Sequence, residues 1–354
     1  MNAVGWILRL LVVVILVAGG FALYRVDAAG QFRTLEPIAL PSCTEVPGLV
    51  GPEDLTIHRD DAVALVSAVD RRDPEARGGI YAYELKPSRA DAPLLVELTK
   101  DFEGDFRPHG LSLRRSPIDG DSVFVVNHPD GEAGTHTVEI FDWRSRKLTH
   151  RKTVTDPLLI SPNDVLAVDG ERFYATNDHG RGPGFSRKFG DLVGRRDSNV
   201  VYWDGESMRV VAEGLGYANG INMSKDGKIV WVAATTEGAI HIYDRDPETG
   251  DLSPWHVEVL GTGVDNIELD LHGSLWIGAH PKLLSFLGHA GDADKTSPSE
   301  VLWYDPDRRL DPYVRPVYLD LGEELSGISV AAPFGSRVLM GSVFEPFLLV
   351  CERG

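Results

Sequence analysis

The sequence predicts an all-β fold: a six-bladed β-propeller preceded by one N-terminal hydrophobic helix. Three observations carry that expectation. Short apolar runs rich in β-branched and aromatic residues alternate with turn dipeptides, a polar motif recurs about every 55 residues, and a long uncharged stretch is confined to the N-terminus.

The N-terminal element comes first. Leu10 to Tyr24 reads LLVVVILVAGGFALY, and Val4–Tyr24 approaches membrane-spanning length with only Arg9 inside. Its placement suits a signal or anchor segment, here residues 1–29, and predicts export. The chain is then secreted if the segment is cleaved and membrane-anchored if it stays.

The strands follow from about residue 40 to residue 354, read as one propeller domain. Ala62–Val69, Ser122–Val126, Arg172–Ala175, Ile229–Ala233, Ser274–Ile277 and Val338–Gly341 are short and rich in Val, Ile, Phe, Tyr or Trp. Between them lie Asp119-Gly120, Asp130-Gly131, Asp169-Gly170, Asp204-Gly205 and Asp226-Gly227 turns. No long amphipathic helix stands out. The segment at 180–196, GRGPGFSRKFGDLVGRR, reads as a basic, glycine-bearing loop, either a lid or solvated. Asn222 heads a glycosylation sequon but falls inside a strand, so it is read as unmodified.

The repeat fixes the blade number. A small polar cluster precedes a strand in GPEDLTI at 51, PHGLSL at 108, PNDVLAV at 162, ANGINMS at 218, VDNIELD at 264 and SGISVA at 326. Glu53, His109, Asn163, Asn219, Asp265 and Gly327 mark these units at a mean spacing of about 55 residues. Six such units make six blades.

Composition narrows the function. The chain of 354 residues has 53 Asp plus Glu against 35 Lys plus Arg, a formal charge of −18. That field repels phosphate backbones, so nucleic acid is not an expected partner. The two cysteines, Cys43 and Cys351, cannot form a thiolate metal site, and they flank the repeats. A bridge between them would close the ring; two free thiols are the alternative. No G-x-S-x-G elbow and no glycine-rich phosphate loop occurs, which argues against serine-nucleophile and nucleotide chemistry.

Equivalent positions of successive blades converge on the channel of a propeller. The markers therefore bring Glu53, Asn163, Asn219, Asp265 and Asn266 together at its mouth, all hard oxygen donors. Such a set suits Ca²⁺, which takes about six to eight oxygens, and not zinc. Asp54 and Asp164, one residue further on, form a second acidic set at a different depth. His109 lies at the repeat phase and His128 follows a strand; a neutral imidazole there could take a proton from water, or only bind a loop. His179 and His280 are further channel-side candidates.

These motifs resemble the paraoxonase/arylesterase family. GPEDLTI, HGLS, VVNHPD, SPNDVLAV…FYATNDH, ANGINMS, VDNIELD…LWIGAHP and LMGSVFEPFLLVCE occur in the family's order from about residue 43 onward. The resemblance implies a propeller with two calcium ions in its tunnel that hydrolyses lactones and aryl esters, in some members organophosphates too. It implies a catalytic ion on Glu53, Asn163, Asn219, Asp265 and Asn266. A structural ion would sit on Asp54, Asp164 and the Leu111 carbonyl. It also implies a His109–His128 dyad and a Cys43–Cys351 disulfide. Expected partners are small ester or lactone substrates, with a membrane reached through the N-terminal segment if that segment is uncleaved. The Gly- and Arg-rich 180–196 segment departs from the more apolar vertebrate one and argues against lipoprotein association. The base could instead be Asp265 or Glu53. The alternatives are a gluconolactonase-like sugar-lactone hydrolase and a non-catalytic propeller offering a protein-binding face.

Overall fold

The computed structural model describes residues 3–87, 94–131, 134–309 and 313–353. Six four-stranded antiparallel sheets form six blades. In five of them the strands are consecutive in the chain. The sixth is composite: the first strand, Thr44–Pro47, pairs with the last, Phe347–Glu352, outside two C-terminal strands. An open ring would leave unpaired strand edges, and this exchange removes them. The Cys43–Cys351 disulfide lies one residue beyond the Thr44↔Val350 pair and locks the joint.

The alternating strand pattern becomes packing between blades. Six apolar clusters lie one at each blade interface. Leu55, Val66 and Tyr83 of the first blade meet Val330, Leu339 and Leu348 of the sixth. Trp276 and Val301 of the fifth meet Ile328 and Met340 on its other side. Each fully buried aliphatic or aromatic side chain contributes about 1.5–3 kcal/mol.

The inner strands are Pro52–His58, Pro108–Arg114, Pro162–Ala167, Ala218–Met223, Gly263–Leu269 and Ile328–Phe334. Each shifts register near its start, in steps such as Pro52/Asp54, Pro108/Leu111 and Pro162/Val165. The other three shift at Ala218/Ile221, Val264/Ile267 and Ile328/Val330. A bulge bends its strand and re-aims the residues it contains. The bulged residues are the sequence markers themselves in five blades. In the sixth the bulge holds Ser329, not Gly327. Gly327 sits before the strand at φ +64°, a turn position that the repeat spacing could not distinguish from the strand.

Among the described residues three α-helices accompany the blades. α1 (Ala3–Ala28) runs unbroken for 26 residues, roughly 39 Å, and its Arg9–Ala28 stretch is not buried by the propeller. Ala29, just after it, accepts a hydrogen bond from the amide of Leu283, at the start of α3 (Leu283–Gly291). α2 (Phe185–Val193) replaces the loop expected at 180–196. Its Phe185 and Phe189, one turn apart, stack at 6.3 Å and remain exposed. Asn222 lies in a strand and donates through Nδ2 to the Ile267 carbonyl.

The ring closure generates a prediction. Cys43→Ser with Cys351→Ser frees a loop of 308 residues in the unfolded state, worth roughly 5 kcal/mol in the chain-entropy model. The thermal midpoint should fall clearly, while turnover at low temperature stays close to that of the parent protein. Scanning calorimetry beside a room-temperature rate assay checks both halves.

Candidate active site

The bulges carry Glu53, Asn163, Asn219, Asp265 and Asn266 to one end of the channel, and all five are buried. Their nitrogens and second oxygens are tied back into the blades. Asn266 Nδ2 donates to Glu53 Oε1 at 2.9 Å, and Asn219 Nδ2 donates to Thr235 Oγ1 at 3.2 Å. His280 Nε2 meets Asp265 Oδ2 at 2.8 Å and stacks on Phe286. One oxygen of each residue is left over. Glu53 Oε2, Asn163 Oδ1, Asn219 Oδ1, Asp265 Oδ1 and Asn266 Oδ1 are buried and accept no hydrogen bond.

A buried polar atom without a partner costs about 1–3 kcal/mol, so five on the bulges of the inner strands suggest a ligand. Two carboxylates and three amide carbonyls suit a hard cation. Among the described residues no three His, Cys, Asp or Glu side chains cluster as a metal cage. The donor set is rich in amide oxygen, as calcium tolerates and zinc does not.

Asp54 and Asp164 lie one residue deeper and link neighbouring blades. Asp54 accepts from the amides of Leu55 at 2.8 Å and Leu111 at 2.7 Å. Asp164 accepts from Val165 at 2.7 Å and Ile221 at 2.8 Å. The blades approach so closely here that only glycine fits at Gly110 and Gly220. A Cβ on Gly110 would stand 2.3 Å from Asp164 Oδ1, and one on Gly220 would stand 2.6 Å from the Asp265 carbonyl oxygen. Burial, and then the charge of Asp164, hold the Asp54 carboxyl well above the usual range. Burial likewise raises Asp164 against the pull of its two backbone donors, and pushes Glu53 up to about 7. Glu268, two residues past Asn266, is pushed up to about 8 by burial and takes a bond from Thr56.

The histidines form a chain. His109 Nδ1 and His128 Nε2 are 3.0 Å apart, and His128 Nδ1 and His136 Nδ1 are 2.9 Å apart. His109 Nε2 points back to Glu53 Oε1 at 3.7 Å. Burial, followed by the charge of Arg71, depresses His109 well below its ordinary value. Burial, followed by His136, brings His128 down to about 3. Burial thus disfavours the charged form of both rings.

The structure thus puts Glu53, Asn163, Asn219, Asp265 and Asn266, with Asp164, in the bulges of inner strands, and sets His109 beside Glu53 and His128. The sequence reading missed His136 and left His280 without a role. The Asn127↔Thr137 strand pair places 128 and 136 opposite each other, a signal legible only once that hairpin is known. His179 pairs with Asp178 at 2.7 Å, and Asp178 also accepts from Ser161 Oγ.

With this geometry in view, the comparisons with known proteins are specific. The arylesterase family matches residues 39–352. Rat serum paraoxonase/arylesterase 1 is 36% identical over 89% of this chain and 90% of its own. Human serum paraoxonase/arylesterase 1 is 33% identical over 97% and 99%, and rat serum paraoxonase/arylesterase 2 is 35% identical over 90% and 91%. Among solved structures, a putative gluconolactonase superposes with a TM-score of 0.54 at 14% identity, covering 89% of this chain and 97% of its own. The calcium-binding protein regucalcin from Agrobacterium tumefaciens gives 0.52 at 15% identity, covering 90% and 95%. At that identity the last two speak for the propeller fold alone. The sequence likeness reaches further: the chain belongs to the paraoxonase/arylesterase family of ester hydrolases.

Proposed function

We propose that this chain is a calcium-dependent hydrolase of aryl esters and lactones, with a catalytic ion on Glu53, Asn163, Asn219, Asp265 and Asn266. A second, structural ion would be held by Asp54, Asp164 and the Leu111 carbonyl. The observation that carries the reading is the set of five partnerless oxygens at the channel mouth. Calcium bound there supplies Lewis-acid polarisation of the ester carbonyl and stabilisation of the oxyanion.

The chain's own residues handle the proton. Asp265 and Glu53 are poor candidates for the base, because one oxygen of each is tied to a neighbour and the other would serve to hold the cation. His109 is free of that duty. If its Nδ1–H donates to His128 Nε2, its Nε2 is bare and takes a proton from the attacking water. His128 then donates from Nδ1 to His136 Nδ1, which keeps the three rings in one compatible tautomer set. The proton leaves from His109 Nε2 to the departing alkoxide or phenoxide.

The N-terminal helix supports a membrane-anchored enzyme. A 26-residue apolar helix with no cover from the propeller is matched by a bilayer, and its end is tied beside α3.

The central test is hydrolysis of phenyl acetate and of alkyl γ- and δ-lactones by protein dialysed against EGTA, before and after Ca²⁺ is returned. Activity should vanish and come back. Full activity after exhaustive chelation overturns the reading.

Stability should follow the same ions. Glu53 ordinarily titrates near 4.5 and is raised to about 7 in the metal-free chain. Its ionisation therefore costs nothing below about pH 4.5 and its full penalty above about 7. Asp54 and Asp164 act in the same direction. The thermal midpoint in EGTA should fall as pH rises from 5 to 8. With excess Ca²⁺ the fall should be much smaller, so the gap between the two curves widens with pH.

For the base, His109→Gln keeps volume and a polar head but cannot carry the proton. Lactone kcat should drop by about 10²–10⁴-fold with calcium affinity near wild type. Stopped-flow rates with a calcium titration followed by tryptophan fluorescence separate the two.

A further inference from the structure

One arginine at the channel mouth has most of its hydrogen-bonding capacity idle. Arg71 lies in the connection between strands Val63–Ala68 and Gly79–Glu84. That connection is held rigidly. Asp70 Oδ1 accepts from the amide of Arg72, and Asp73 Oδ1 accepts from that of Glu75. Arg107 Nη1 donates to the carbonyls of Asp73, Pro74 and Ala76.

The neighbouring guanidinium groups make more bonds. Arg107 is used as just described. Arg72 donates to the His289 and Phe344 carbonyls and lies 4.4 Å over the Phe344 ring, although its Nε too is buried without an acceptor. Arg71 makes fewer. Its Nη2 makes one long bond to the Pro108 carbonyl at 3.4 Å and stands 3.7 Å from Glu53 Oε2. Its Nε is buried with no acceptor, and its Nη1 makes no hydrogen bond among the described residues. The side chain keeps 19% exposure.

The chemistry points the same way: a guanidinium offers paired donors, and a carboxylate matches that fork with its two oxygens.

We propose that Arg71 is a substrate-binding residue that recognises a carboxylate. The preferred substrates are then esters and lactones that carry an ionised carboxyl group besides the bond to be cleaved. The inference rests on the hydrolase reading above and names the substrate class of that same site. A preorganised charged donor of this kind changes binding by about ten- to a hundredfold.

The test compares 5-oxotetrahydrofuran-2-carboxylate with γ-valerolactone, its uncharged counterpart, on calcium-loaded full-length protein. The wild type should favour the carboxylate lactone in kcat/KM by about tenfold or more. In Arg71→Gln the ratio of the two should collapse, and Arg71→Lys, which keeps the charge, should recover part of it. Tetrahydrofuran-2-carboxylate, which cannot be hydrolysed, should raise the thermal midpoint of wild type more than that of Arg71→Gln. A wild type that prefers the neutral lactone overturns the proposal. So does a ratio that Arg71→Gln leaves unmoved, since Arg71 would then serve only to balance Glu53. If the wild type turns over neither lactone yet the mimic still stabilises it through Arg71, the hydrolase reading fails and the anion site stands.

Discussion

The structure depends on the meeting of buried carboxylates at one axis. Glu53, Asp54, Asp164 and Asp265 are each nearly inaccessible, and Glu268 lies just beyond them. Like charges at close range in a low-dielectric interior cannot all ionise without a counter-charge. Burial accordingly holds several of these carboxyl groups above their ordinary range. A propeller packed only by apolar side chains would not build such an axis. The acidic centre is a cost to the blades, and the proposed cation would offset it.

Two kinds of contact hold the blades together. Away from the axis the interfaces are apolar and continuous around the ring. At the axis they are polar, and each bond spans neighbouring blades. Asp54 reaches the Leu111 amide, Asp164 the Ile221 amide, Thr235 the Val264 carbonyl and Ser329 the Glu53 carbonyl. The carboxylates of Asp54 and Asp164 thus fasten adjacent strands. Candidate site and scaffold are therefore one network, in which displacing one of these residues also displaces a blade.

Much of this was legible in the sequence because a propeller writes its site at a fixed period. Glu53, Asn163, Asn219 and Asp265 share one phase of the repeat, and the bulges turn that phase into one location. What escaped notice lacks a period. α2 escapes a sequence reading because five glycines and four arginines in 180–196 mask a helix of only nine residues. Gly327 was taken as the sixth marker because turn glycines and bulge residues are alike in composition. The roles of His136, His280 and Arg71 depend on which strand edge faces which loop. That information resides in tertiary contacts, not in spacing.

The composite sixth blade also sets an order of events during synthesis. Five blades consist of consecutive strands and can form in the order in which they are made. The strand Thr44–Pro47 emerges almost first and can pair only with Phe347–Glu352, which emerges last. Throughout elongation its edge stays bare and the Cys43 thiol stays single. The circle therefore closes only when Phe347–Glu352 is available to Thr44–Pro47, and oxidation of the two thiols records that the two ends of the ring have met.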